Sequence, residues 1–387
     1  MEIIDLKNVY FISESIPHDG YASSVIFYRH LERFKKSGHR IFVIIPNYAN
    51  LENTPFYNDI HDKFTILKVP LGKWWLFPYN YKNAVSRTIR FSLLYLLFRS
   101  TLLKFPPSFI ITYFYGEYLN GFASFLKSIF KCKMGTFLHD DKHLLNNTDE
   151  KNHKKYDLAI SKASSVIWSV SEKLKIPGST ANNYLVIPPI PEGIANSLSV
   201  KWKDDFYKPV IGFSGTLYQS YIPIFKAMAE ILNKKSGKIK IISKYEADLK
   251  VQFKAYPNIE IIPFFDKNID AILYLRDNCS ALFCGYPNDL QEMPWIYNCF
   301  PSKFVEFSHT KLPIILSGPI STSLADWAIT NNWQLFTANL TNESITGLID
   351  RISNQTDWEN NAKNTEKIAK IYFDPDEIHK NLEKSLD

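Results

Sequence analysis

The sequence predicts an α/β protein made of two doubly wound domains, each a buried parallel sheet flanked by helices. Three observations carry that expectation. Short continuous apolar runs alternate with amphipathic stretches, whereas strands with one wet face alternate residue by residue. A polar, irregular stretch over 191–208 interrupts the pattern, which then restarts at Val210. The 387 residues suit two or three domains at roughly 100–200 residues each.

The elements follow in order. Residues 9–13 read as a strand, followed by a turn containing Gly20 and a helix over 22–36 that Gly38 closes. Strands are expected at 41–45, ended by Pro46, and at 64–69. A long helix over 82–104 precedes Pro106-Pro107 and a strand at 109–114. A helix over 117–130 leads to strands at 134–138, 165–168 and 185–187. The second series has strands at 210–213, 239–242, 259–262, 281–284, 314–316 and 334–337, with helices between them and a charged helical tail. The expected division is an N-terminal domain over 1–195, a C-terminal domain over 209–360 and a tail over 361–387 that packs back toward the first domain. Such sheets take ligands beyond the carboxyl ends of their strands, so two facing domains make a cleft lined by strand-end loops.

Composition narrows the function classes. Apolar residues at 45% and charged residues at 22% exclude wholesale disorder. The N-terminus lacks a basic n-region, and the densest apolar run, 91–98, is far shorter than the roughly 20 residues of a spanning helix; a cytoplasmic protein is expected. The four cysteines lack C-x-x-C spacing and read as buried thiols. Neither a Walker loop nor a G-x-S-x-G is present. A D-x-D at Asp374–Asp376 reads as a helix cap, so no metal is expected.

Four strand-end loops hold the candidate chemistry. The loop 13–24 can present backbone N–H groups to an anion, or be a plain capped turn. His139-Asp140-Asp141, directly after a strand, can position a reacting group or be a solvated turn. Gly215 permits close approach to a ligand, with Ser214 and Thr216 hydroxyls beside it, or serves an ordinary strand-to-helix turn. In Pro301-Ser302-Lys303-Phe304-Val305-Glu306, Pro301 suits the first helical position. Lys303 then sits in a first turn, where a cation is disfavoured unless an anion is bound. Glu306, three residues on, can accept from ribose hydroxyls or form a surface pair with Lys303.

These segments resemble the family-4 glycosyltransferases of the GT-B fold. The stretch GYASSVIFYRHLERFKKSGHRIFVIIP is similar to that family's opening glycine loop, helix and second strand. FLHDD is similar to its strand-end histidine motif, SVSEKLK and VIPPIPEG to the turns and strand before the linker, VIGFSGTLYQS to the second glycine loop, and PSKFVEFSHTKLPIILS to the donor-site helix. The resemblance implies two Rossmann-like domains facing across a cleft. It also implies retaining, metal-independent transfer of a sugar from a nucleotide-sugar to a glycan or lipid-linked acceptor. Under it, Glu306 holds the donor ribose, His139 stands near the donor sugar and Gly20 faces the diphosphate; Asp140 is the further catalytic candidate, and Gly215, Thr216, Ser302 and Lys303 are the further donor-binding candidates. The chain departs from the pattern where Thr216 replaces the usual Arg, where LYQSYIP lacks the usual Lys, and where Asn298 takes the place of the first glutamate. Lys303 is expected to replace part of the missing charge, and Asp289 or Glu292 the missing acid. A catalytically inactive GT-B binding protein is the alternative.

The formal charge of +6 is uneven, +8 over residues 1–195 and −2 over the rest. Between Asp62 and Glu117 there are eight cations and no acid. With Trp74, Trp75, Phe77, Tyr79 and Tyr81, this stretch reads either as an ordinary helix with a solvated basic face, most of its leucines covering the sheet, or as contact with an anionic membrane at the inner face. No nucleic-acid-binding module accompanies it.

Overall fold

The computed structural model describes residues 6–20, 23–47, 55–70, 84–114, 116–141, 150–176, 178–179, 183–193 and 200–386. The chain forms two compact units, one of Met1–Ile187 with His379–Asp387, the other of Pro188–Ile378.

In the first unit, strands β1 (Asn8–Ile12), β2 (Arg40–Pro46), β3 (Thr65–Val69), β4 (Phe109–Tyr113), β5 (Lys133–Leu138), β6 (Val166–Ser169) and β7 (Tyr184–Val186) form one parallel sheet in the order β3-β2-β1-β4-β5-β6-β7. Val9 is in register with Ile41 on one side and Phe109 on the other. Every residue of β4 is buried, which is why its sequence is a continuous apolar run. The strand order reverses between β1 and β4, the position where such sheets open a ligand crevice.

Helices α1 (Ser23–Lys36), α2 (Pro55–Lys63), α3 (Ala84–Lys104), α4 (Glu117–Phe130) and α5 (Glu150–Ala163) join these strands. Helix α1 gives way to Gly38 at φ 90°, whose N–H donates to Lys35 O at 2.9 Å. Helices α2 and α5 had no counterpart in the sequence expectation. Among the described side chains of α5 the buried ones are Tyr156, Asp157, Ile160 and Ser161, two of them polar, so the apolar period is weak.

Helix α3 corrects an expectation. Its inner face is Phe91, Leu94, Phe98 and Leu102, all buried against the sheet and α4. Leu93, Leu96 and Leu97 do not cover the sheet; they are 45%, 58% and 49% exposed. Counting leucines overstated the covered face because this helix is apolar on two opposite sides. The aromatic cluster from Trp74 to Tyr81, and the segment 142–149, lie outside the described residues.

The second unit repeats the plan. Strands β8 (Val210–Ser214), β9 (Lys238–Ile242), β10 (Ile259–Ile262), β11 (Ala281–Gly285), β12 (Ile314–Ser317) and β13 (Phe336–Thr337) form a parallel sheet in the order β10-β9-β8-β11-β12-β13. Its helices are α6 (Ile222–Asn233), α7 (Glu246–Gln252), α8 (Asn268–Asn278), α9 (Ser302–Ser308), α10 (Ser323–Thr330), α11 (Asn342–Ile352) and α12 (Gln355–Ile371). The reversal of strand order falls between β8 and β11. The irregular stretch before β8 contains a short 3₁₀ turn, Asp204–Tyr207, whose Phe206 packs 5.2 Å from the Trp358 ring.

Helix α12 runs unbroken through residue 361, because Trp358, Ala362 and Ile368 bury one face in this unit. The final helix, α13 (Pro375–Lys384), starts on a cap. Asp374 Oδ1 accepts from the N–H groups of Asp376 at 3.0 Å and Glu377 at 2.9 Å, so the D-x-D is the helix cap the sequence suggested. From His379 onward α13 belongs to the first unit. There His379 meets His30 with Nδ1 atoms 3.1 Å apart, Glu383 lies 3.0 Å from His39 Nε2, and Ser385 Oγ accepts from Trp168 Nε1 at 2.8 Å.

Candidate functional site

The second unit gathers the site at the carboxyl end of β8. Gly215 leaves the strand at φ 129°, a conformation L side chains rarely adopt. Its N–H is held by Ile242 O at 2.9 Å. A Cβ at this position would overlap the ammonium of Lys303. The missing side chain is therefore the space into which Lys303 reaches.

Lys303 comes from the first turn of α9. Pro301 stands at the cap in extended backbone, not at the first helical position as expected, and Ser302 opens the helix. Phe304, Val305, Phe307 and Ser308 are buried and fix the helix against the core. Lys303 and Glu306 are both half-buried. The Lys303 ammonium lies 4.8 Å from the centroid of the Phe213 ring. Burial lowers its pKa, the Cys284 thiol opposing that slightly. Among the described residues no carboxylate pairs with this ammonium, so the alternative reading of a Lys303–Glu306 surface pair is set aside. A cation withdrawn from water without a counter-ion is costly, and an anion bound in the loop would relieve that cost.

The other residues expected here divide. Ser302 and Thr216 are exposed beside the loop. Glu292 Oε2 accepts from Ser220 N–H at 3.0 Å, bracing the β8-to-α6 connection. Asp289 closes a local turn with Gln291 N–H at 2.9 Å. Asn298 offers its carbonyl to Ser323 Oγ at 3.0 Å. Glu292 is thus tied to the Gly215 loop, and Asp289 is occupied by its own turn.

The first unit gathers its candidates at the ends of β4 and β5. His139 is buried in aromatic surroundings, its ring 5.5 Å from Phe27 and 5.2 Å from Phe137. Burial lowers its pKa to about 3, so it is neutral at physiological pH. Its Nδ1 has no hydrogen-bond partner among the described residues. Asp140 is held by Tyr113 Oη at 2.8 Å and by Ser23 Oγ at 3.4 Å. Burial raises its carboxyl pKa, and the bonds from Tyr113 and Ser23 counter that. Ser23 opens α1 directly after the loop of Gly20, whose N–H donates to His18 Nδ1 at 3.0 Å. The structure therefore brings His139, Asp140 and the Gly20 loop to one end of the sheet, and the solvated-turn reading of His139 is set aside.

Two contributors were not anticipated. Tyr113 ends β4 and orients Asp140. Glu14, just past β1, accepts from Tyr118 N–H at 3.1 Å at the start of α4, against Gly116 at φ 108°. A tyrosine at a strand end and an acid after a strand are too common to signal such roles on their own.

Among the described residues no three His, Cys, Asp or Glu side chains gather into a metal-ligating set. Cys279, Cys284 and Cys299 are buried free thiols and Cys132 is half-buried. Burial raises Cys132 to about 11 and Cys279 and Cys284 to about 12, which makes them poor nucleophiles.

No protein-family model matches the sequence, and no curated protein does. Solved structures do. A glycosyltransferase from Rickettsia africae ESF-5 superposes with a TM-score of 0.67 over 98% of both chains at 13% identity. HepE from Anabaena, solved in complex with UDP, gives 0.66 over 98% of this chain and 99% of its own at 11% identity. TarM gives 0.67 over the whole of both chains at 9% identity; an S. aureus TarM mutant has been solved with Fondaparinux, alpha-GlcNAc-glycerol and UDP. The fold is that of the GT-B glycosyltransferases, two Rossmann-like units with parallel sheets of seven and six strands.

Proposed function

We propose that the protein is a nucleotide-sugar-dependent glycosyltransferase that moves a hexose to a glycan or lipid-linked acceptor. The observation that carries this reading is the Lys303 ammonium, inward, without a carboxylate partner, and lodged where Gly215 has no side chain. A donor diphosphate would supply the counter-charge this ammonium lacks, at the strand-order reversal of its sheet. Glu306, on the same helix, is assigned to the ribose hydroxyls. His139, neutral and with an uncommitted Nδ1, is assigned to a hydroxyl of the transferred sugar, and Asp140 to holding the loop that carries it. In the retaining, metal-independent course implied by the family resemblance, the acceptor oxygen bonds to the anomeric carbon as the bond to phosphate breaks. The acceptor proton passes to the departing phosphate oxygen. Lys303 stabilises the charge that develops there.

A second reading, a GT-B protein that binds nucleotide without turnover, rests on Thr216 and Asn298. An exposed hydroxyl and a neutral asparagine stand where the resemblance expects an Arg and a glutamate, so the Arg's positive charge is missing beside the leaving group. A panel of UDP-, GDP-, ADP- and CMP-sugars, scored by thermal stabilisation and then by donor hydrolysis, separates the two. Stabilisation with hydrolysis supports transfer, stabilisation alone supports the binding protein, and neither defeats both.

A further inference from the structure

Helix α3 has a finished inner face and an unfinished outer one. Opposite its buried residues, Val85, Ile89, Leu93, Leu96, Leu97 and Leu103 are all exposed. At about 3.6 residues per turn they form one stripe covering roughly a third of the circumference. The helix spans 21 residues, about 30 Å at 1.5 Å per residue. Single exposed leucines need no explanation, but six exposed apolar side chains gathered on one helix face do, even with Ser100 among them.

The charge around the stripe selects its occupant. By the same helical spacing, Arg99 borders one edge and Arg90 the other, and Lys104 falls among the apolar residues at the C-terminal end of the stripe. The helix contains no acid, nor does any residue between Asp62 and Glu117. A second copy of this chain seated on the stripe by two-fold symmetry would bring these cations toward their own copies. No helix among the described residues is long and apolar enough to span a membrane, so insertion as a transmembrane segment does not fit. An apolar stripe with cationic edges on a helix fixed to a folded domain suits a helix lying flat at an anionic bilayer surface. There the stripe reaches below the headgroups and the cations meet lipid phosphates. We propose that the outer face of α3 docks the protein on anionic membranes.

The proposal does not depend on the nucleotide-sugar reading, because vesicle binding requires no donor. The test is co-sedimentation of the full chain with phosphatidylglycerol-containing and pure phosphatidylcholine vesicles, at 0.1 M and 1 M salt. The protein is expected to pellet with the anionic vesicles at low salt and to lose at least tenfold in partition at high salt or on neutral vesicles. Ile89→Glu with Leu96→Glu should abolish pelleting while keeping the melting temperature, since both side chains are already in water. Arg99→Glu with Lys104→Glu should remove the preference for anionic lipid without altering an apolar side chain of the stripe. Absence of vesicle binding, equal binding to neutral vesicles, or unchanged binding by both double variants would overturn the proposal. So would a dimer that Ile89→Glu with Leu96→Glu dissociates in the absence of vesicle binding.

Discussion

The ammonium of Lys303 occupies the volume that a side chain on residue 215 would need, so Gly215 and Lys303 are one structural unit contributed by the loop after β8 and the first turn of α9. Phe213 supplies its floor, 4.8 Å from the ammonium. Neither residue alone distinguishes a phosphate site from a turn; the donor site proposed above rests on their interlocking.

Gly215→Ala should therefore fail twice. At φ 129° an alanine is strained by about 1–3 kcal/mol, and its methyl displaces the ammonium. A lowered melting temperature together with weakened binding of a nucleoside diphosphate is expected. Full stability in this variant would show that the loop can relax and that the glycine is not required.

Glu306→Ala should weaken nucleotide binding by about 1.5–3 kcal/mol, the scale of hydrogen bonds to a charged group, and leave the ligand-free melting temperature nearly unchanged. Affinity for a 2′,3′-dideoxy nucleotide should be insensitive to the substitution. Equal losses for both nucleotides would remove Glu306 from the ribose.

His139→Ala should lower turnover far more than donor affinity, because a group beside the sugar serves the transition state. With its pKa near 3, His139 should contribute no break to a kcat profile between pH 5 and 8. A histidine-dependent inflection near pH 6.5 that vanishes in the variant would contradict its buried, neutral state.

Acid stability carries a second signature. Burial brings His139 and His379 to about 3 and lowers His30 as well. These imidazoles are neutral when folded and protonate near 6.5 when unfolded. Their contribution is complete above pH 6.5 and is lost as pH falls toward 3, each adding a slope of up to about 1.4 kcal/mol per pH unit. Urea unfolding at pH 7, 6, 5 and 4 should show stability falling with acid, and His379→Gln should make that fall shallower.

The sheets were legible because their strands are buried on both faces and read as unbroken apolar runs. The glycine turns and the α9 segment were legible through residue type and spacing. What escaped has physical reasons. Helix α5 has a polar sequence, and its described buried face includes Asp157 and Ser161 as well as Tyr156 and Ile160. The pairing of Lys303 with Gly215, rather than with Glu306, depends on where two loops meet in space. The outer stripe of α3 left two readings open, core or interface, because hydropathy does not say which of two apolar faces meets the sheet. Tyr113 and Glu14 act through contacts with no sequence period.

Calorimetric titration of UDP, GDP and ADP into the wild-type protein and Lys303→Met tests the central claim most directly. Methionine keeps much of the stem's volume over Phe213 and removes only the charge. At least one nucleoside diphosphate should bind the wild type, and Lys303→Met should weaken it by at least tenfold while the corresponding nucleoside is unaffected. Equal diphosphate affinity in the two proteins, or binding of none of the three nucleotides, would contradict the assignment of the Gly215–Lys303 pair to a donor diphosphate.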